Sequence, residues 1–82
     1  MTINEEAIEA LCKKAAALFG GQASDYNENT RFEEDLHCKS VNYVQFSAAL
    51  EDVFDMEVPY AEFCKLANFA EAGEYMREKF EG

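Results

Sequence analysis

The 82-residue sequence holds only one proline and four glycines, too few chain breakers for a flexible linker or an unfolded tail. Basic side chains are scarce too. Seven lysines and arginines face seventeen aspartates and glutamates, giving a formal charge of −10. Such a surface repels nucleic acid phosphates and anionic lipid head groups. Basic protein surfaces are its natural partners, although acidity also serves simply to keep a small protein soluble. No apolar run approaches the ~20 residues that cross a bilayer. The start, Met1-Thr2-Ile3-Asn4-Glu5-Glu6, is acidic where a secretory signal is basic and then apolar. No Cys-x-x-Cys pair is present, and Cys12, Cys38 and Cys64 cannot all pair within one chain. Reduced thiols in the cytoplasm fit best.

What is abundant is apolar surface. Hydrophobic residues make up 49% and aromatics 13%, enough for a packed core in one small domain. Ile8, Leu11, Cys12, Ala15, Leu18 and Phe19 recur at three- and four-residue steps with charged residues between them, which predicts an amphipathic helix from about Asn4 to Phe19. Thr2 and Glu5 can form a capping box at its start, and Gly20-Gly21 can stop it. Gln22 to Asp35 reads as a long loop rich in side chains that compete for backbone hydrogen bonds, pinned by Tyr26, Phe32 and Leu36.

From Val41, the positions Val44, Phe46, Ala49, Leu50, Val53 and Phe54 return to helical spacing, with Glu51, Asp52 and Asp55 on the outer side. Ser40 stands at the head of this helix, where a hydroxyl can cap exposed N–H groups. Met56-Glu57-Val58-Pro59 ends it. A short helix fits Tyr60 to Ala67, with Phe63 and Leu66 inward. A last helix begins at an Asn68/Glu71 capping box and runs through Phe69, Ala72, Met76 and Phe80. Nothing reads as a strand. The expected architecture is all-α: an up-and-down bundle of three longer helices and one short one, the long loop crossing its outside. Its expected core is Ile8, Leu11, Leu18, Phe32, Leu36, Val44, Leu50, Phe54, Val58, Leu66, Phe69 and Met76.

Two groups invite a catalytic or metal reading and support it poorly. His37-Cys38 places an imidazole beside a thiol, but adjacent residues rarely aim at one target, and a cysteine hydrolase needs its histidine from elsewhere in the fold. Zinc needs four ligands, and Cys12 and Cys64 fall at core or near-core positions. Glu33-Glu34-Asp35 lacks the glycine-containing spacing of a calcium loop.

The informative stretch is Thr30-Arg31-Phe32-Glu33-Glu34-Asp35-Leu36-His37-Cys38-Lys39-Ser40-Val41, followed by Ala48-Ala49-Leu50-Glu51-Asp52-Val53-Phe54-Asp55-Met56-Glu57-Val58-Pro59. It resembles the acyl carrier protein family. There an acidic "F-x-E-D-L-G-x-D-S-L" segment leads into a helix ending "A-L-E-x-x-F-x-[IV]-x-[IV]-P". The resemblance spans nearly the whole chain and implies one four-helix acyl carrier domain over residues 1–82. It also implies that Ser40 receives 4'-phosphopantetheine from coenzyme A. The chain would then not be an enzyme, but a monomeric cytoplasmic carrier of thioester-bound acyl groups for fatty acid, polyketide or related synthesis. The physical reading of Ser40 agrees, since a phosphodiester there would lie at the positive end of a helix dipole. An ordinary cap is the commoner role for such a serine, and an unmodified interaction module of the same fold is the alternative.

Partners implied by the resemblance are a phosphopantetheinyl transferase and acyl-transferring and synthase enzymes with basic docking patches. They would meet Lys39, Val41, Asn42, Gln45, Ala48 and Asp52. The family's Asp-Ser-Leu is Lys39-Ser40-Val41 here, and its loop glycine is His37. Lys39, Asn42 and Gln45 stand where the family commonly has acidic residues, which displaces the negative surface toward Glu51, Asp52 and Asp55. Phe63 occupies a position that is often small in the family, where a fatty chain can slip between the second and third helices. A buried phenylalanine there implies short or polar cargo.

Overall fold

The computed structural model describes all residues from Met1 to Gly82. Four helices follow in order: α1 (Ile3–Phe19), α2 (Ser40–Phe54), α3 (Tyr60–Phe63) and α4 (Phe69–Glu81). The capping box at the head of α1 forms as expected. Thr2 Oγ1 accepts the Glu5 N–H at 3.1 Å and Glu5 Oε1 accepts the Thr2 N–H at 2.8 Å. Gly20, at φ 99°, ends the helix in a conformation that side-chain-bearing residues avoid. Ala7, Leu11, Cys12 and Ala15 form its buried stripe.

Helix α4 packs along α1, and Gly73 permits the approach. A Cβ at Gly73 would stand 3.1 Å from the Asn4 carbonyl oxygen. Asn4 also donates to Glu74 at 3.0 Å, and Arg77 holds Glu74 and Glu81 together. The Arg77 guanidinium, and then the Asn4 amide, pull the Glu74 carboxyl down to about 2.

The loop between α1 and α2 does more than cross the outside. It opens with a 3-10 turn at Ala23–Asp25 and is tied back by Tyr26, whose hydroxyl donates to the Gly20 carbonyl at 2.6 Å. It then pairs with the α3–α4 connection. Phe32 N–H donates to Ala67 O at 3.1 Å, Phe69 N–H to Thr30 O at 3.0 Å and Ala70 N–H to Glu28 O at 2.9 Å. This pairing drives Phe32 into the centre of the molecule. Its ring lies 5.2 to 5.5 Å from the rings of Tyr43, Phe46, Phe63 and Phe69, in the tilted and edge-on arrangements that aromatic quadrupoles favour. Leu36 packs against the same core from the far end of the loop.

Several boundaries and side chains differ from the sequence expectation. Val44 was expected inside and is 49% exposed. Tyr43, Phe46, Ser47, Leu50 and Phe54 form the inward stripe of α2 instead; with apolar residues at both 43 and 44, the phase of the helix was ambiguous. Helix α3 stops at Phe63 rather than continuing to Ala67, because the Ala67 carbonyl is taken by Phe32 and the intervening residues turn to meet it. Asn68 Oδ1 accepts the Glu71 N–H at 2.8 Å, but the Glu71 carboxylate reaches the Ala67 N–H at 3.0 Å, one residue beyond the expected box. Glu51, expected on the outer acidic face, accepts the Val58 N–H at 2.8 Å and secures the turn after α2.

Cores of this kind are sensitive to backbone strain just outside them. His37 has φ 51°, the left-handed region that costs a residue with a Cβ roughly 1–2 kcal/mol. His37→Gly relieves that cost against about 0.4–1 kcal/mol from the looser unfolded chain. The expected outcome is a net gain of about 0.5 kcal/mol, read as a Tm higher by about 2–4 °C in thermal unfolding; a lower Tm would contradict the strain at His37.

Candidate functional site

Ser40 is the first residue of α2, not its cap. The cap is Lys39, with extended backbone at φ −102°, and its own N–H is accepted by Asn42 Oδ1 at 2.8 Å. Asn42, expected to face partners, is half-buried and spends its side chain locally; its amide nitrogen donates to Gln45 Oε1 at 3.2 Å. The outcome is a serine whose hydroxyl is exposed and makes no hydrogen bond, beside the amides of Ser40 and Val41, which have no backbone acceptor. Unsatisfied N–H groups at the head of a 15-residue helix favour an anion attached to or bound beside that hydroxyl.

The exposed face that starts at Ser40 is largely apolar, with Lys39 as the charge beside the serine. Val41 is 58% exposed, Val44 is 49% exposed and Ala48 is exposed. These residues lie three or four positions apart and so share one face of α2, which continues to exposed Asp52. Lys39 is exposed and Gln45 half-buried at the edge of that face. The sequence brought forward Val41, Ala48 and Asp52 for this surface but missed Val44. The signal was the adjacent Tyr43-Val44 pair, of which only one member can face the core.

His37 and Cys38 do not act together. His37 is exposed at its left-handed turn, while Cys38 is half-buried, and burial pushes its thiol up to about 11. A thiol so far from ionisation at neutral pH is a poor nucleophile. No three His, Cys, Asp or Glu side chains are grouped to hold a metal ion. Ser40 itself has no base bonded to its hydroxyl.

Behind the face, the space between α2 and α3 is filled. Phe63 is fully buried, with its ring 5.5 Å from that of Phe32, and Phe46 is fully buried beside them. The two cavities of the molecule lie elsewhere and are open to solvent. No helix is long and apolar enough to cross a membrane.

No protein-family model matches the chain. Individual proteins do. An acyl carrier protein of Rubrobacter xylanophilus is 31% identical over 74 residues, covering 90% of this chain and 91% of that protein. One from Prochlorococcus marinus is 24% identical over 75 residues, covering 92% and 94%. A carboxylic acid reductase of Mycobacterium marinum is 39% identical over 62 residues, which cover 76% of this chain but only 5% of that much longer protein. With its all-helical fold and a likeness that runs nearly end to end, the chain belongs to the acyl carrier protein family.

Proposed function

We propose that residues 1–82 act as one cytoplasmic, monomeric carrier domain that holds acyl groups on 4'-phosphopantetheine at Ser40. The observation that carries this reading is Ser40 itself: exposed, without a hydrogen-bond partner, at the head of a long helix with unpaired amides beside it. When bound, the group supplies a terminal thiol that holds cargo as a thioester. Ser40 Oγ forms the bond to the phosphorus that bears pantetheine, the pyrophosphate bond of coenzyme A breaks with adenosine 3',5'-bisphosphate as the leaving group, and the serine proton passes to a base of the transferase. The free amides and Lys39 then lie beside the phosphodiester charge.

The cargo we infer is short or polar, bound for fatty acid, polyketide or related specialised synthesis. Phe63 and Phe32 occupy the volume that a long alkyl chain would need, and close-packed cores do not yield such volume cheaply. The likeness to a carboxylic acid reductase supports a related route, in which the cargo is a carboxylic acid destined for reduction.

Partners dock on the exposed face of α2, through Lys39, Val41, Gln45, Ala48 and Asp52, and through Val44, whose exposure on the same face supports its inclusion. Asn42 supports that face by holding Lys39. A basic patch shaped for an acidic serine flank would meet a like charge at Lys39, which disfavours encounter. A dedicated set of transferases and synthases follows.

Three expected outcomes test this reading. Incubated with coenzyme A and a panel of transferases, the wild type gains one phosphopantetheinyl mass and Ser40→Ala gains none; modification persisting in the alanine variant would reject Ser40. Ser40→Ala leaves thermal stability unchanged, because its hydroxyl bonds to nothing, whereas Asn42→Ala costs about 1 kcal/mol through the lost hydrogen bond to the Lys39 N–H. The combined variant Lys39→Asp, Asn42→Asp and Gln45→Glu is modified by a generic transferase about tenfold faster at low salt, with the gain shrinking as salt screens it. Equal rates at every ionic strength would show that these positions do not select partners.

A further inference from the structure

A second surface adjoins the partner-facing side of α2 and shares Ala48 and Asp52 with it. Between α1 and α2 runs an open groove of about 350 Å³. Its floor is apolar and built from small side chains: Ala17 from α1, and Ala48, Ala49 and Val53 from α2. Val53 is 50% exposed there. On the α1 rim stand Lys13 and Lys14, and on the α2 rim Asp52.

The charges of this rim are unusual for the molecule. Lys13 and Lys14 are the only basic residues on either helix, in a chain of formal charge −10. Lys13 has one exposed contact with Glu9 at 3.5 Å, a pair too solvated to hold it firmly. Lys14 is half-buried, its stem against the groove, and its ammonium belongs to no ion pair. Asp52 is exposed and also unpaired. Along α2, Ala48 and Ala49 follow Ser40 by about 12–14 Å at the helical rise per residue. An extended phosphopantetheine chain is longer than that.

We propose that this groove is a resting site for a short acyl group that ends in a carboxylate, such as a dicarboxylic acid held by one end as a thioester. The proposal rests on the carrier reading at Ser40, and it names the cargo class. The methylenes of the acyl group lie on Ala48, Ala49 and Val53, and the free carboxylate meets the Lys14 ammonium, with Lys13 swinging from Glu9 to assist. The core is closed to such a group by Phe63 and Phe32, and the rest of the acidic surface repels it. Asp52 opposes the carboxylate, which fixes the sign of its variant: removing its charge strengthens binding.

The test loads the protein with succinyl and butyryl groups, which have equal carbon counts and differ in the terminal carboxylate, and compares each with the unacylated form by NMR. Succinyl loading is expected to shift the methyls of Ala48, Ala49 and Val53 and the Lys14 side chain more than butyryl loading does. Lys14→Gln abolishes that excess and Asp52→Asn enlarges it; both positions lie outside the core, so the fold is preserved. Equal shifts for the two groups, no shift in the groove, or shifts centred on Phe63 would overturn the proposal. Shifts that grow with protein concentration would do so too, since a second copy would then be the occupant. A chain that no transferase loads contradicts the carrier reading instead. The groove is then probed with free succinyl- and butyryl-pantetheine, and lack of preference for the succinyl compound there would overturn it independently.

Discussion

The burial of one loop side chain, Phe32, organises this molecule. It is contributed by the segment with the least regular structure, and it touches aromatic rings from α2, α3 and α4 at 5.2 to 5.5 Å. Replacing such a residue with alanine typically costs about 3–5 kcal/mol, a large part of the whole stability of a domain this size. The backbone pairing of Phe32 with Ala67 and of Thr30 with Phe69 holds the ring in place. The same pairing sets where α3 stops and α4 starts. From Phe32 the chain needs only a tight reversal, through Cys38 N–H to Phe32 O at 3.0 Å and the left-handed His37, to bring Ser40 to the surface.

That arrangement separates two requirements. The core side of α2 is fixed by Tyr43, Phe46, Leu50 and Phe54 against the aromatic cluster. The opposite side is left free, with a serine at its head and exposed Val41, Val44 and Ala48 along it. A rigid helix that presents a bare hydroxyl to other proteins is what a carrier needs, since positioning comes from the scaffold and chemistry from the partner. The closed aromatic core bears on the proposed cargo, because Phe32 and Phe63 fill the space between α2 and α3.

Much of this was legible in the residues. The buried face of α1, the Thr2/Glu5 box, the stop at Gly20 and the pins of the long loop follow from spacing and local hydrogen-bonding chemistry, and the structure agrees with them. The order from Ser40 to Val58-Pro59 also pointed to the family that the relatives identify. What was not legible depends on long-range pairing or on helix phase. Ala67 looks like a helical residue until Phe32 claims its carbonyl. Val44 and Tyr43 are both apolar, and only packing against Phe32 selects the tyrosine. Ser40 looked like a cap because serine is a good one; the helix takes Lys39 as its cap, with the Lys39 N–H held by Asn42, so Ser40 falls inside the first turn with its hydroxyl unbonded. Gly73 gave no signal, since its role appears only where α1 passes over it.

Attachment of the arm to the free hydroxyl of Ser40 is the proposal on which the carrier role rests. The most direct measurement is the intact mass of this protein isolated from its native host, followed by fragmentation of the peptide that contains Lys39-Ser40-Val41. The expected result is a population heavier by one phosphopantetheinyl group, with all of the increment on Ser40. A protein that is wholly unmodified in its host, or one whose increment lies on another residue, would contradict it.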